Sequence, residues 1–441
     1  MKIVILGAGL SGLSTAYFLQ RRYGFDDIVL LEKEERPGGL CRSIPKGEYV
    51  YDIGPHILFS KDKELLDLLL SFLDAKNYLR RSNQIIYKGG YVQYPFENDL
   101  SKLPEEDLEY CIRTFNHNPY ETYPASNMLQ FFLKTFGEGI TNCYLRPYNE
   151  KIWKYDPCFM NTSMVDRIPK PTKEEIQRSA SGETVDGYVH PLYFSYPAYG
   201  GIEEVPKGIV SKIDKKGCKI ITNSTAKCIK RQGRQFAISD GKNEYVADCL
   251  ISTIPIQELT SIYQDVPGDI AERVHNLRYN SILIAFLKTP YDLCGDNFTF
   301  TIPDKQVLFH RISKMDFLGE AYHRAGEATF IAEITYRAGD AVDCLSRSNL
   351  MQLIKDGMKR IGFAHSCDDV EILDITDCKY AYVIYDLNHN ENMRFIREFY
   401  NGKGVFLNGR FGNFEYWNMD RILRESLNLS QKINLKWGTS L

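Results

Sequence analysis

The chain has 441 residues, 44% of them hydrophobic and 25% charged, with a formal net charge of −3, too long for one simple core and ordinary for a globular protein of two or three domains. The charge leaves no basic footprint for nucleic acid, and no apolar run approaches the roughly 20 residues that span a bilayer, so a cytoplasmic protein without nucleic-acid or membrane partners is expected. Eleven cysteines without CxxC pairs or ligand spacing read as reduced thiols, and no metal site is expected.

Residues 2–6, KIVIL, form a short β-rich run, and GAGLSG leads into a helical pattern carried by Leu13, Ala16, Tyr17 and Leu19. In that strand, turn and helix order, Gly7 permits a tight turn, Gly9 lets backbone approach a pyrophosphate, and Gly12 lets the helix pack closely on the strand. A second strand, DIVLLE, ends in Glu32, twenty residues past Gly12, where a carboxylate can accept hydrogen bonds from a ribose 2′-hydroxyl. This fingerprint serves NAD and FAD alike. RPGGLCRS then offers Gly38 and Gly39 as a second place where backbone can run against a cofactor, with Arg42 available to a phosphate or flavin edge, which suits a long, outstretched FAD.

Next comes YDIGPHILFS, residues 51–60, which sets the titratable ring of His56 between Gly54-Pro55 and an apolar run. Helical apolar spacing follows over 63–74 and 104–146, separated by a hairpin, QIIYKGGYVQYPF, turning at Gly89-Gly90. Residues 223–255, which include Ala226, alternate as a meander turning at Asp240-Gly241 and close on the strand CLIST. Segments 281–288, 298–302, 328–336 and 371–376 are strand-like. Near the C-terminus an apolar strand (405–407), a Gly409–Gly412 loop and a helix starting near Asn418-Met419-Asp420 repeat the opening logic, so a second helix N-terminus can point at the same ligand.

These motifs resemble the glutathione-reductase-like flavoproteins of the amine oxidase and protoporphyrinogen oxidase type. Within them, YDIGPHILFS, YVQYPFENDLSKLP, YLRPYNEKIW, DRIP, FHRIS and GRFGNFEYWNMD resemble the UDP-galactopyranose mutase family, its eukaryotic-type members in particular, in family order from residue 1 to about 425. The resemblance implies an α/β fold: a Rossmann-like FAD domain (1–60, 200–255 and 395–441), an inserted, mainly helical domain (61–83 and 100–180), and an antiparallel-sheet substrate domain (84–99 and 256–394). It implies a flavin-dependent mutase that interconverts pyranose and furanose forms of UDP-galactopyranose or a related nucleotide sugar. Reduced-flavin N5 attacks the anomeric carbon and the nucleoside diphosphate leaves and returns. The partners implied are the nucleotide sugar and a reductant such as NAD(P)H or a reductase; the oligomeric state stays open, a homo-oligomer included.

By the same resemblance His56, Arg167 and Arg311 are the catalytic candidates, His56 beside the flavin and the two arginines clamping the diphosphate. Cofactor contacts are expected at Gly7, Gly9, Gly12, Glu32, Gly39, Leu40, Arg42, Gly54, Pro55, His56, Ala226, Gly409, Arg410, Asn418 and Met419. Substrate contacts are expected at Phe59, Tyr94, Phe96, Glu97, Trp153, Tyr382 and Tyr416. The pattern departs from the family at Glu97, which stands where fungal members carry an amide beside uracil, at Pro191 and Tyr199, and in FTFTIP (298–303), which lacks an aligned tyrosine; the base and sugar stay open. A net FAD oxidoreductase of the amine oxidase or protoporphyrinogen oxidase type shares both terminal motifs and is the alternative.

Overall fold

The computed structural model describes residues 1–167, 171–183, 185 and 192–438, without the side chains of 166 and 167. A five-stranded parallel sheet runs in the order Val405–Leu407, Cys249–Ser252, Ile3–Leu6, Ile28–Leu31, Cys218–Ile221. Its central strands are apolar throughout because helices cover the sheet, and Ile3–Leu6 is buried at all four positions. Helix Leu10–Tyr23 follows the first strand and packs along the C-terminal helix Met419–Trp437, so both begin at the C-terminal edge of the sheet, where ligands of open α/β sheets bind. The meander falls at Cys228–Gln232, Gln235–Ser239 and Glu244–Ala247.

A second, seven-stranded sheet is ordered Glu371–Val383, Tyr279–Thr289, Ala328–Tyr336, Arg311–Lys314, Thr299–Thr301, Asn83–Tyr87, Gly90–Gln93. It is antiparallel except where Thr299–Thr301 runs parallel to Asn83–Tyr87, a hairpin strand joining from more than 200 residues earlier. The strand expected over 371–376 continues to Val383, with register shifts against Tyr279–Thr289 that bend it and carry Tyr382 over the cavity described below.

The helical pattern expected over 104–146 is not one helix. It divides into Glu105–Asn116 and Met128–Ile140, because HNPYETYPASN (117–127) carries two prolines that helix interiors do not tolerate. The second piece bends at Gly137, whose φ of 71° lets the chain pass against the Thr114 backbone, and a π-turn Thr141–Leu145 leads into Arg146–Trp153. Helix Lys63–Leu70 is shorter than the expected 63–74; it is capped by the Asp62 carboxylate, which accepts from Leu65 N at 3.2 Å. All eleven cysteines are free thiols. Among the described residues no helix is long and apolar enough to cross a membrane, and no group of His, Cys, Asp and Glu is placed to hold a metal.

Candidate active site

The two sheets enclose one cavity of about 1200 Å³, lined from the Gly7 turn past His56 to Arg311, Tyr382 and Tyr416. At its sheet end the glycines make a cradle. Gly7 has φ 89°, and a Cβ on Gly12 would lie 2.0 Å from the Gly7 carbonyl oxygen, so Gly12 sits behind the turn and not in the cavity wall. A Cβ on Gly39 would come 3.0 Å from the Gly9 Cα, so the second glycine pair packs on the first and both present bare backbone to the cavity.

Glu32, buried at the end of its strand, accepts from the backbone N–H of Ala8 (2.7 Å) and of Glu34 (3.0 Å), which fixes its carboxylate at the cavity wall. Leu40, Arg42, Gly54, Pro55, Ala226, Gly409, Asn418 and Met419 also line the cavity. Arg42 is not a free cation: its guanidinium donates to the Gly39 carbonyl and pairs with Glu34 at 3.2 Å.

Helices Leu10–Tyr23 and Met419–Trp437 both start without a side-chain cap, leaving first-turn N–H groups for a ligand, and the buried Ser11 Oγ between them has no hydrogen-bond partner. The residues therefore fit an extended dinucleotide: a carboxylate for its ribose, bare glycine backbone, two helix N-termini and an orphaned hydroxyl for its pyrophosphate.

Beyond the cradle lies the loop that carries His56. Asp52, just before it, is a buried acceptor for Ser43 Oγ (2.6 Å), Tyr196 OH (2.5 Å) and Ile202 N (3.1 Å), and burial pushes its carboxyl up to about 6. His56 Nδ1 lies 3.2 Å from the Gly54 carbonyl oxygen. Burial, with the Arg410 and Arg311 charges adding to it against the Gly54 contact, pushes the imidazole down to about 4. At neutral pH the ring is therefore uncharged.

The sign of its pH dependence follows. The unfolded ring, near 6.5, binds more protons than the folded one between pH 4 and 6.5, so this group's contribution is complete above pH 6.5 and lost as pH falls toward 4. Asp52, its carboxyl raised, acts oppositely between its ordinary 3.8 and about 6. Because Asp52 is common to both proteins, melting wild type and His56→Gln from pH 4 to 7, with the flavin oxidised and its ring uncharged, isolates the histidine. The wild type is expected to gain stability relative to the variant as pH rises to 6.5.

Arg311 does not stand free for a ligand. It lies directly across from Glu333 in the strand register, and its Nε and Nη2 both donate to that carboxylate, the latter at 2.7 Å. Tyr382 OH donates to the same carboxylate at 3.2 Å. The Tyr382 and Tyr416 rings stack at 5.8 Å, with the Trp153 indole edge-on to both and its Nε1 donating to Asn149.

Arg410 lies over the Tyr416 ring at 4.8 Å and donates to the carbonyls of Trp417 and Ala381; no carboxylate among the described residues pairs with it, so its charge stays uncompensated on the cavity wall. Phe59 lines the cavity with the Arg81 guanidinium 4.4 Å above its ring.

Four of the expected substrate contacts are not brought into this wall. Phe96 is fully buried, stacked on Tyr144 at 5.0 Å, and is core; Tyr94, Glu97 and Trp153 lie behind the lining. Glu97 is 2% exposed, its Oε1 has no partner, and burial pushes its carboxyl up to about 7. Tyr199 is exposed. The expectations for Arg167 and Pro191 fall on a side chain and a residue outside the described residues. Glu333 is a cavity-lining charge absent from the expected site residues, although a signal existed: it is the one charge in ATFIAEITY (328–336), a strand buried at every position.

A parallel sheet with paired glycine turns, a ribose carboxylate and two uncapped helices on one long cavity defines a dinucleotide-binding flavoprotein fold. The family model "Flavin containing amine oxidoreductase" matches residues 10–301; the chain belongs to that family and its cofactor is FAD. Its fold is that of the crystal structure of reduced UDP-galactopyranose mutase: TM-score 0.90 and 23% identity, over 99% of this chain and 94% of that one. In sequence it is 25% identical to the UDP-galactopyranose mutase of Mycoplasma pneumoniae over 184 residues, 37% of this chain and 43% of that protein. It is 35% identical to the coproporphyrinogen III oxidase of Staphylococcus aureus over 66 residues, 15% of this chain and 14% of that protein. The chain thus spans less than half the length of these two curated relatives.

Proposed function

We propose that this flavin enzyme is a nucleotide-sugar mutase that interconverts pyranose and furanose forms of a UDP-galactopyranose-like substrate. The observation that carries the reading is that the FAD cradle and the Arg311–Tyr382–Tyr416 wall lie on one continuous cavity, which gives a substrate diphosphate a place beside the flavin. When bound and reduced, FAD supplies the nucleophile for the anomeric carbon.

The chain's own residues do the rest. Arg311 has Nη1 left over after its pair with Glu333, and with Tyr382 and Tyr416 it holds the leaving diphosphate. Arg167 completes the clamp. Arg410 adds an uncompensated positive charge, and the neutral His56 holds its loop against the flavin. The aromatic walls exclude water while the sugar ring is open. A reductant such as NAD(P)H or a reductase activates the flavin. Dithionite-reduced protein incubated with a panel of nucleotide sugars tests the reading: new furanose product supports it, and oxidised product points to the alternative.

That alternative, a net FAD oxidoreductase, draws on the porphyrinogen oxidase relative and on Arg311, whose charge is largely spent on Glu333. It needs no diphosphate clamp.

Glu97, whose buried Oε1 has no partner behind the lining, is proposed to read the base where the wall in front of it opens to a nucleotide, with Tyr94 as a second candidate. A buried carboxyl pushed up to about 7 is acceptor-only toward a base N–H when ionised and gains a donor O–H when protonated. Glu97→Gln is therefore expected to change the order of affinities among UDP, dTDP and GDP, and to reduce the pH dependence of binding between pH 6 and 8 to that of the ligand's own terminal phosphate. An identical order in isothermal titrations of both proteins would place Glu97 outside the base pocket.

A further inference from the structure

We propose that Glu333 is a positioning residue that aims Arg311 and Tyr382 at an anionic group in the cavity; the proposal rests on the reading that a substrate diphosphate binds there. The Glu333 side chain is 1% exposed and sits at the meeting point of four separate segments. Arg311 lies across the strand ladder from it, and both Nε and Nη2 are engaged. Tyr382, from the strand Glu371–Val383, donates to Oε2, and its hydroxyl lies 3.5 Å from Arg311 Nη2. On the third side, a Cβ at Gly54 would come 3.7 Å from Oε2, so the carboxylate also backs the loop that carries His56.

One acceptor thus fixes the rotamers of two donors before any ligand arrives. A guanidinium pinned along its Nε–Nη2 edge can turn only Nη1 toward the cavity, so the ordering cost of its long side chain is met in folding and not in binding. The same carboxylate is also a negative charge beside an anion site. Long-range electrostatics and positioning therefore predict opposite signs when that charge is removed.

The test titrates UDP, and separately GDP, into FAD-loaded wild type, Glu333→Gln, Glu333→Asp, Arg311→Ala and the Arg311→Ala/Glu333→Gln double variant, with flavin stoichiometry measured on each. Positioning predicts that Glu333→Gln weakens binding by about tenfold or more, since its amide turns a donor toward the guanidinium, while flavin content is unchanged. Added to Arg311→Ala, the same substitution is expected to cost clearly less than it does in wild type, because the part of its effect that runs through that arginine is already lost and only the hold on Tyr382 is left. Tighter or unchanged binding by Glu333→Gln, or a full additional loss in the double variant, overturns the proposal. If Glu333→Gln does not retain FAD, Glu333→Asp decides: it keeps the charge but is too short to span both nitrogens, so it is expected to weaken binding, and unchanged affinity overturns the role. Wild type that binds neither nucleotide fails the functional reading and this proposal together. Binding by wild type that the Glu333 variants leave intact fails this proposal alone.

Discussion

Arg311→Ala is expected to destabilise the protein by about 3–5 kcal/mol, the range for leaving one partner of a buried charge pair uncompensated. The stranded group is Glu333, 1% exposed in the middle of a strand, with only Tyr382 among the described residues left to hydrogen-bond it once the guanidinium is gone. Nucleoside-diphosphate binding is expected to weaken as well, by about 1.5–3 kcal/mol, the range for hydrogen bonds to charged groups. The two effects separate in the Arg311→Ala/Glu333→Gln protein, in which no charge is left buried. Denaturant unfolding of the FAD-loaded proteins should show most of the stability returning in the double variant and the binding loss persisting. A single variant as stable as wild type would mean that the pair carries no such burden.

Gly12→Ala is expected to weaken FAD retention by about tenfold or more. The new methyl would meet the Gly7 carbonyl oxygen at 2.0 Å and the Gly7 carbonyl carbon at 3.1 Å, and backbone cannot rotate away as a side chain can. Overpacking of this kind costs about 1–3 kcal/mol, and about 1.4 kcal/mol falling on the cradle alone is a tenfold loss of affinity. Gly268→Ala, where a Cβ meets nothing within 4 Å, is the control. Flavin absorbance per protein after purification reads both; a fully yellow Gly12→Ala protein would remove the glycine turn from the account.

What was legible in the sequence and what was not divides along chain distance. The first cradle is local: strand, Gly7, Gly9, helix and Glu32 lie within thirty residues, and each glycine has a steric reason that a sequence pattern carries. The Arg311–Glu333 pair is not local. It exists because the register of two antiparallel strands sets those residues opposite each other, and a one-residue slip would have turned the glutamate to the other face. Phe96 was ambiguous by residue type, since an aromatic ring fits a pocket wall and a core equally, and only its stacking on Tyr144 assigns it to the core. Arg410 is expected among the cofactor contacts. Its grip on the Trp417 carbonyl depends on the path of the loop from Gly409, which passes through Phe414 at a φ of 52° before the final helix, and no spacing rule specifies that path.

The electrostatic balance of the cavity follows from these non-local contacts. Arg311 is neutralised by Glu333, Arg42 by Glu34, and His56 is uncharged, which leaves Arg410 as the net positive charge among these four groups.

In the proposed mutase FAD serves isomerisation and not net oxidation, and counting electrons separates the two. The protein is reduced anaerobically with one equivalent of dithionite and mixed with excess nucleotide sugar, the flavin spectrum is followed, and pyranose and furanose forms are separated. Isomerisation gives many product molecules per reduced flavin, a spectrum that stays reduced at the end, and no turnover by the oxidised protein. Flavin that reoxidises or is consumed in step with an oxidised or reduced product, with no furanose formed, would contradict it.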